Sequence, residues 1–335
     1  MKAMVLEAFH PVKDKPLKLM DQPVPDPGQG EILLWIEYCG VCHTDLHIVE
    51  GELKDARLPI IPGHQVAGIV VKAGEGAGEK IPVGRKAGAA WLFAACGFCE
   101  FCLSGQENLC RMARFTGFHV HGGYAEYMIV PEKFAYRIPE DFTNLHAAPL
   151  LCAGIIGYRA LRLSGAAAGS RLGLYGFGAS AHIAIQVAKR WGCEVYVFSR
   201  NEKHRQHARE LGATWAGDYK DEPPSKHLSS VVFAPAGEVA LNALENTDRG
   251  GTVALAGITM TPLPEIDYER HLYWERTLQT VANATRVDGE ELLKLASEIP
   301  IKTTTKLFAL KEANEALIEL KEGRIKGAAV LKIGK

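Results

Sequence analysis

Four of the chain's eight cysteines lie within one short stretch. They follow the spacing C-x2-C-x2-C-x7-C, at positions Cys96, Cys99, Cys102 and Cys110. This spacing lets one loop place four thiolates around a tetrahedral ion, and zinc suits such a closed sulfur shell. An iron–sulfur cluster and a pair of disulfides are the alternatives. Because a four-sulfur zinc shell has no position for substrate, we expect it to hold the loop and the chemistry to lie elsewhere.

A second group of cysteines and histidines offers an open metal site. The candidates lie in CGVCHTDLH, PGHQVAG and LCAGIIGY, and they are Cys42, His43, His47, His64 and Cys152. Two thiolates and one imidazole from this group would leave a fourth position for water or an alcohol, which is typical of a catalytic zinc. Each residue alone is weak evidence, since a single cysteine is usually a small buried apolar residue. Cys39 and Cys193 are left over, and we expect them to be structural.

A glycine-rich turn provides the third feature with chemical potential. LYGFGASAH places Gly176-x-Gly178-x-x-Ala181 directly after a predicted strand and directly before a predicted helix. In that context small residues allow a pyrophosphate to approach the helix N-terminus. The next strand leads into Ser199 and Arg200 instead of the acidic residue that holds the ribose of NAD, so NADP is favoured. The alternative is a solvated Arg200 in an enzyme that accepts either cofactor.

The elements that must position these groups fall into three blocks. Up to about residue 150, short β-type runs such as 32–38 and 66–71 predict a mostly β domain. From about 153 to 282, apolar runs alternate with helical periodicity, which predicts a parallel, doubly wound sheet. The buried strands of this block are predicted at 171–175, 193–198, 230–234 and 252–256.

The end of the chain predicts a helix and a strand. After about residue 283, a helix from Lys311 is expected to end near Gly323. The strand-like run 328–333 follows, and we expect it to return to the first domain.

Composition limits the possible partners. The chain has 335 residues, enough for about two domains, with 47% apolar and 23% charged residues. A net charge of -1 gives no bulk attraction to nucleic acid or to an anionic membrane. No apolar run approaches the roughly 20 residues of a membrane span, and the N-terminus does not resemble a secretory signal. We therefore expect a cytoplasmic protein with a small-molecule partner, no nucleic acid and no membrane.

With these motifs in this order, the chain resembles the zinc-dependent alcohol dehydrogenases of the medium-chain dehydrogenase/reductase superfamily, and most of all the bacterial propanol-preferring ones. The resemblance covers nearly the whole chain. It implies an α/β architecture with a GroES-like, mostly β catalytic domain, 1–152 and 283–335, and a Rossmann cofactor domain, 153–282. It also implies two zinc ions per chain, a homodimer or homotetramer, and reversible hydride transfer between a primary alcohol or aldehyde and NAD(P).

The resemblance also assigns roles around the catalytic zinc. Cys42, His64 and Cys152 would bind the ion, and Asp45 would orient His64. Zinc lowers the pKa of a bound hydroxyl, for water to about 7, so an alkoxide can form near neutral pH and give its hydride to the nicotinamide. The family usually has Glu after the zinc-binding histidine, whereas this chain has Gln65. We expect the neutral amide to leave the zinc more electrophilic.

Other roles implied by the resemblance concern the proton, the cofactor and the substrate. Thr44 would take the alcohol proton and pass it, through the cofactor ribose, to His47 and then to solvent. His43 would lie near the pyrophosphate. Leu53 and Trp91 would line the substrate pocket and narrow it toward small or slender alcohols; the alternative is that both are ordinary core residues.

One more departure and three rival functions complete the sequence-based interpretation. Ala328 stands where many relatives in the family carry an Arg that contacts the pyrophosphate. Either Lys326 takes its place or the cofactor binds less tightly. A zinc-free quinone reductase of the same superfamily would lack the cysteine ligands. A nucleic-acid-binding zinc module would need a more basic chain. A cinnamyl-type or polyol dehydrogenase would share the zinc machinery and differ only in its pocket, so it stays open.

Overall fold

The computed structural model describes residues 1–53, 55–299 and 301–334. Its strands in chain order are β1 (Lys2–Leu6), β2 (Leu17–Asp21), β3 (Glu31–Val41), β4 (Gln65–Ala73), β5 (Lys86–Ala89), β6 (Leu92–Ala94), β7 (Arg114–Phe115), β8 (Tyr127–Pro131), β9 (Ala135–Arg137), β10 (Arg171–Tyr175), β11 (Glu194–Phe198), β12 (Trp215–Gly217), β13 (His227–Val232), β14 (Thr247–Leu255), β15 (Thr277–Thr280), β16 (Thr305–Ala309) and β17 (Ala328–Lys332).

The α-helices in chain order are α1 (His43–Val49), α2 (Glu100–Leu103), α3 (Asn144–Ala147), α4 (Ala153–Leu163), α5 (Ala179–Arg190), α6 (Glu202–Glu210), α7 (Gly237–Glu245), α8 (Arg286–Glu298) and α9 (Ala313–Lys321). Within the described part of the chain, no helix has the length and apolar character needed to cross a bilayer. The chain divides into two compact units, one built from Met1–Cys152 with Thr285–Lys335 and the other from Ala153–Ala284.

A mixed sheet organises the first unit. Its strand order is β16-β17-β3-β4-β5-β9, and β8 pairs with the first half of β3. Strand β17 pairs antiparallel with the second half of β3, where Leu331 lies opposite Cys39. The prediction that the run 328–333 returns to the first domain is therefore confirmed. This unit has the GroES-like architecture that the resemblance implies.

The core of the first unit fixes the helix that carries much of the site. Leu34 and Ile36 of β3 and Val66 of β4 are fully buried in one hydrophobic cluster. Helix α1 adds Ile48 and Val49 to the same cluster. Burying side chains of this kind stabilises the fold by about 1.5–3 kcal/mol each, so α1 is held firmly against the sheet.

A parallel sheet organises the second unit. The strand order is β12-β11-β10-β13-β14-β15, and every neighbouring pair is parallel. Counted from β10, this is the order 3-2-1-4-5-6 of dinucleotide-binding sheets. The predicted Rossmann fold is confirmed. Strand β10 has the predicted bounds, while β13 and β14 begin three and five residues before the predicted strands at 230 and 252.

Helix ends and the two remaining cysteines also agree with the sequence-based expectations. Helix α9 ends at Lys321, and Gly323 follows with a left-handed φ of +66°. Cys39 and Cys193 are buried at 0% and 1% exposure, which fits their expected structural role.

Candidate metal centres and cofactor site

Three metal-ligating side chains from distant parts of the first unit meet at one point. The ligand atoms of Cys42, His64 and Cys152 all lie within 4.8 Å of one another. His64 Nε2 is 3.3 Å from Sγ of Cys42 and 3.3 Å from Sγ of Cys152. Two sulfurs and one nitrogen at these separations can occupy three corners of a tetrahedral metal site.

A buried carboxylate fixes the direction of the His64 ring. Asp45 Oδ1 is 3.0 Å from His64 Nδ1, and both side chains are fully buried. Since an ionised carboxylate only accepts hydrogen bonds, Nδ1 carries a hydrogen. Loss of the other ring hydrogen then leaves the lone pair on Nε2, which faces the two sulfurs. The N–H of Gly63 also donates to Asp45 Oδ1 at 3.2 Å, which holds the carboxylate in place.

The start of α1 places Cys42 and Asp45 side by side. Cys42 is the N-cap, and its Sγ accepts a hydrogen bond from the N–H of Thr44 at 3.3 Å. In return, the N–H of Cys42 donates to Oδ2 of Asp45 at 2.9 Å. This reciprocal capping box satisfies free N–H groups of the first turn and fixes both side chains.

The other two ligands depend on backbone features. Gly63, just before His64, has a φ of +96°, and a Cβ there would lie 2.3 Å from the Tyr124 ring. Only glycine fits this position, which lets the chain turn His64 toward α1. Cys152 follows the 3-10 helix Ala148–Leu151 and is the last residue of this part of the first unit.

The electrostatics of the site favour a cation. Burial lowers the pKa of the His64 imidazole, but the charges of Asp45 and Cys42 outweigh it and raise that pKa to about 10. A hydrogen bond from the Cys152 thiol holds the pKa of Cys42 well below its ordinary value, and the same bond raises the pKa of Cys152. The metal-free site thus carries a thiolate, a thiol and a protonated imidazole. The thiol and the imidazole must release their protons when a cation binds.

An aromatic wall adjoins the histidine. The Trp91 ring meets His64 edge-on, with ring centroids 5.0 Å apart and planes at 75°. Phe115 stacks on Trp91, with ring centroids 5.1 Å apart and planes at 10°. The ring centroid of Phe118 lies 5.7 Å from that of Trp91. Trp91 and Leu53 are both partly buried and pack against the hydrophobic core of the first unit.

The four clustered cysteines form a separate group in the same unit. Their sulfur atoms all lie within 4.8 Å of one another, and these residues are Cys96, Cys99, Cys102 and Cys110. Sγ of Cys96 is 3.8 Å from Sγ of Cys102, far beyond the roughly 2.05 Å of a disulfide bond. A hydrogen bond from the N–H of Phe98 helps to lower the pKa of Cys96 to about 6. Burial instead raises the pKa of Cys102 to about 12, so Cys96 ionises more readily than Cys102 in this loop.

The predicted nucleotide-binding turn lies in the second unit, between β10 and α5. Gly176 has a φ of +91°, and a Cβ there would come within 3.0 Å of the backbone nitrogen of Ala234. Gly178 is the N-cap of α5, and a Cβ built on it meets no described atom within 4 Å. Ala181 is fully buried. The turn leaves open space at the N-terminus of a 12-residue helix, where an anion can bind.

The residues that follow β11 lie beside this turn. The N–H of Gly176 donates to the carbonyl oxygen of Phe198 at 2.8 Å. Ser199 is 8% exposed, and its Oγ accepts a hydrogen bond from the N–H of Asn201 at 3.4 Å. Arg200 is exposed. No carboxylate stands at the end of this strand, where NAD-binding sheets usually place one.

Comparison with known proteins identifies the family. One family model, described as alcohol dehydrogenase GroES-like domain, matches residues 28–140, and another, described as zinc-binding dehydrogenase, matches residues 181–298. The probable alcohol dehydrogenase AdhA of Mycobacterium tuberculosis is 44% identical over 96% of this chain and 94% of its own. The chain belongs to the zinc-type alcohol dehydrogenases of the medium-chain superfamily. As a zinc-type alcohol dehydrogenase, it is an oxidoreductase that acts on CH–OH donors.

Solved structures of similar proteins contain either nicotinamide cofactor. The acetophenone reductase of Geotrichum candidum, in complex with NAD, is 28% identical with a TM-score of 0.88, over 99% of this chain and 96% of that one. The CAD of Helicobacter pylori, complexed with NADP(H), is 26% identical with a TM-score of 0.86, over 99% of each chain. The similarity therefore supports a nicotinamide cofactor in this zinc-type dehydrogenase without choosing between the two.

The residues expected to move the proton lie along α1 of this zinc-type dehydrogenase. Thr44 is 8% exposed, in the first turn beside Cys42. His43 begins the helix and is exposed, while His47 lies in the last turn with its ring centroid 6.4 Å from that of His43.

Sequence reasoning missed three side chains that contact the predicted ones. Glu52 contacts the ring of His47, and Phe115 stacks on Trp91. The guanidinium of Arg205 donates to the carbonyl oxygens of Ser199 and Arg200 at 2.7 and 3.3 Å. Glu52 and Arg205 each lie five residues from a predicted site residue, so local spacing could have pointed to them. Phe115 has no such signal, because its contact depends on the pairing of β6 with β7.

Proposed function

We propose that this alcohol dehydrogenase binds a catalytic zinc at Cys42, His64 and Cys152 and a structural zinc at the four clustered cysteines. The observation that carries the proposal is the meeting of two sulfurs and one imidazole that is oriented by Asp45. When bound there, zinc supplies the Lewis acidity that makes a substrate hydroxyl easier to deprotonate and a carbonyl easier to reduce.

The donor atoms and their separations fit zinc. Bonds of about 2.3 Å to sulfur and about 2.0 Å to nitrogen give tetrahedral edges of about 3.5 Å between N and S, and about 3.8 Å between two sulfurs. The observed separations are 3.3 Å from His64 Nε2 to each sulfur and 3.8 Å from Cys96 to Cys102. An iron–sulfur cluster would hold the thiolates further apart, since its own atoms lie between them. Thiolate ligands also disfavour magnesium and calcium.

The chain's own residues then divide the work. Cys42 and Cys152 neutralise the charge of the ion, and Asp45 keeps His64 in its ligating tautomer. The hydroxyl of Thr44 holds the proton that leaves the alcohol, and His47 delivers it toward solvent. In the second unit, the turn at Gly176 and Gly178 binds the pyrophosphate, and His43 is proposed to lie near the same group.

We propose NADP as the favoured cofactor, with NAD as the alternative. Ser199 and Arg200 follow β11 directly, and the Arg205 guanidinium donates hydrogen bonds to their carbonyl oxygens. A guanidinium attracts the 2′-phosphate of NADP, whereas an aspartate or glutamate at this place would repel it. The exposed position of Arg200 leaves its side chain accessible to a phosphate.

The proposed substrate is a primary alcohol, oxidised reversibly to its aldehyde. Trp91 stands edge-on to His64 and is held there by Phe115, which favours slender substrates. A cinnamyl-type or polyol dehydrogenase remains the second candidate, because a flat aromatic substrate could lie against the same wall. We also propose a cytoplasmic location, since a reducing compartment preserves thiolate ligands. The homodimer or homotetramer that the resemblance implies is likewise a proposal.

Initial rates for a panel of substrates test this proposal. The purified enzyme is assayed with NADH and with NADPH against propanal, benzaldehyde, cinnamaldehyde and acetone, and its zinc content is measured. We expect two zinc ions per chain, a higher kcat/KM with NADPH, and a preference for propanal. A preference for cinnamaldehyde would support the second candidate, and zinc-independent reduction would contradict the proposed catalytic centre.

A further inference from the structure

Glu52 contacts the histidine at the end of α1. Its Oε2 lies 2.5 Å from Nδ1 of His47. The His47 side chain is 15% exposed and the Glu52 side chain 51% exposed, so the contact joins a largely buried ring to solvent. The backbone N–H of Glu52 also donates to the carbonyl oxygen of His47 at 2.9 Å. Main chain and side chain therefore both hold Glu52 against this one histidine.

The turn before Glu52 is shaped for this contact. Gly51 has a left-handed φ of +75°, and a Cβ there would lie 3.0 Å from Cβ and Cγ of Phe9. A side chain at this position would be strained and crowded, so glycine lets the chain fold back on the end of α1. The turn brings the carboxylate of Glu52 to the ring.

This contact determines which nitrogen of His47 can act as a base. An ionised carboxylate has no hydrogen to donate, so Nδ1 must carry the hydrogen of a neutral ring. The lone pair then lies on Nε2, which can accept a proton. Asp45 acts on His64 in the same way, so two histidines of the first unit have their tautomers set by a carboxylate on Nδ1.

We propose that Glu52 is a positioning residue for His47 and also carries the proton from it to solvent. This inference rests on the proposed function, in which His47 receives the proton released by the alcohol. That proton binds Nε2, the hydrogen on Nδ1 passes to the Glu52 carboxylate, and water then removes it. Each turnover releases one proton for each hydride transferred. His47 regains its Nδ1–H form by exchange with water, which removes the hydrogen from Nε2 and returns one to Nδ1.

Two other titratable groups lie near His47 on the same part of the chain. His43 faces it from the same helix, at a centroid distance of 6.4 Å. The Glu50 carboxylate interacts electrostatically with His47, but both of its oxygens contact Nζ of Lys321 at 2.7 Å, and one also accepts the N–H of Val12. Glu52, in contrast, contacts the imidazole directly.

Substitution of Glu52 tests the inference. Glu52→Gln keeps the shape of the side chain and removes its charge. Glu290→Gln is the matched control, since Glu290 is also 51% exposed and pairs with Lys80 at 2.8 Å, away from the proposed site. His47→Gln reports whether the histidine itself takes part. Alcohol oxidation is measured from pH 6 to 9 with and without added imidazole, and the ring tautomer of His47 is read from 15N chemical shifts.

We expect Glu52→Gln to lower kcat for oxidation about tenfold at pH 7, to change the pH profile, and to be rescued by imidazole, while Glu290→Gln behaves as wild type. The 15N shifts should show an Nδ1–H ring in the wild type and a mixed population in Glu52→Gln. Wild-type rates and tautomer in Glu52→Gln, with a slow His47→Gln, would overturn this inference alone. A fully active His47→Gln would instead contradict the proposed role of His47.

Discussion

Gln65 lies next to the proposed metal ligands and has a neutral side chain where the family usually has a carboxylate. It follows His64 directly, is 2% exposed, and lies opposite Gly40 on the neighbouring strand. A Cβ on Gly40 would lie 2.8 Å from the Gln65 amide, so the missing side chain makes room for it. With a neutral amide here, two thiolates and a zinc ion sum to zero formal charge. The glutamate usual in the family would make the sum negative.

Gln65→Glu is the corresponding test at the residue scale. Because the two side chains have nearly the same shape, the substitution adds charge without changing packing. We expect the added negative charge to disfavour ionisation of the substrate hydroxyl, and so to move the pH profile of alcohol oxidation upward by about 1 pH unit. Gln29→Glu, on the exposed surface of the same unit, is the control. An unmoved profile in Gln65→Glu would show that the amide has no such electrostatic role.

At the scale of elements, the turn between β10 and α5 contains two glycines, and the structure places different constraints on them. Gly176 has a left-handed φ, and a Cβ added to it would lie 3.0 Å from the backbone nitrogen of Ala234. Gly178 has neither constraint, because its φ is -107° and the space in front of it is open. The sequence pattern does not distinguish the two glycines. In the structure, Gly176 is needed for the backbone conformation of the turn, whereas the missing side chain of Gly178 leaves open space in front of the helix.

Gly178→Ala should therefore weaken cofactor binding with little effect on the stability of the fold. A methyl group there occupies the space into which a pyrophosphate would come, so we expect the Kd for the nicotinamide cofactor to rise at least tenfold. The midpoint of urea unfolding should change little, since replacing an N-cap glycine by alanine costs at most about 1 kcal/mol. Gly176→Ala should lower the midpoint as well. Unchanged cofactor affinity in Gly178→Ala would rule out this turn as the pyrophosphate site.

At the scale of the whole molecule, two buried histidines make stability depend on pH. Among the described residues, neither ring nitrogen of His227 has a hydrogen-bond partner. The ring of His182 is also buried, and the backbone of Gly178 and Ala179 offsets part of the cost of charging it. Burial lowers the pKa of each to about 4, from 6.5. In the unfolded chain both bind protons below about pH 6.5, so the unfolded state binds more protons than the folded state between pH 6.5 and 4.

Stability should therefore fall as the solution is acidified. The contribution of these histidines is complete above about pH 6.5 and is lost toward pH 4, at a cost on the order of 3 kcal/mol for each residue. We expect His227→Gln to show a smaller loss of unfolding free energy between pH 7.5 and 5 than the wild type. Comparing the two chains cancels any shared effect of metal loss. His10→Gln, at an exposed histidine, should keep the full pH dependence.

The sequence alone determined the features whose parts are close along the chain. Cys96 to Cys110 fit one loop, and the turn from Gly176 to Ala181 joins one strand to one helix, so spacing and periodicity sufficed to predict them. The parallel, doubly wound sheet followed from the same alternation of strands and helices together with the resemblance, and the structure gives it the strand order 3-2-1-4-5-6.

Only the tertiary structure decided which distant groups meet. His64 lies 22 residues from Cys42 and 88 from Cys152, and no local spacing relates them. Resemblance named these three, but their approach depends on the pairing of β3 with β4, the capping of α1 and the φ of Gly63. Covalent geometry limits how far neighbouring ligands can separate, whereas remote ones are brought together only by the packed core.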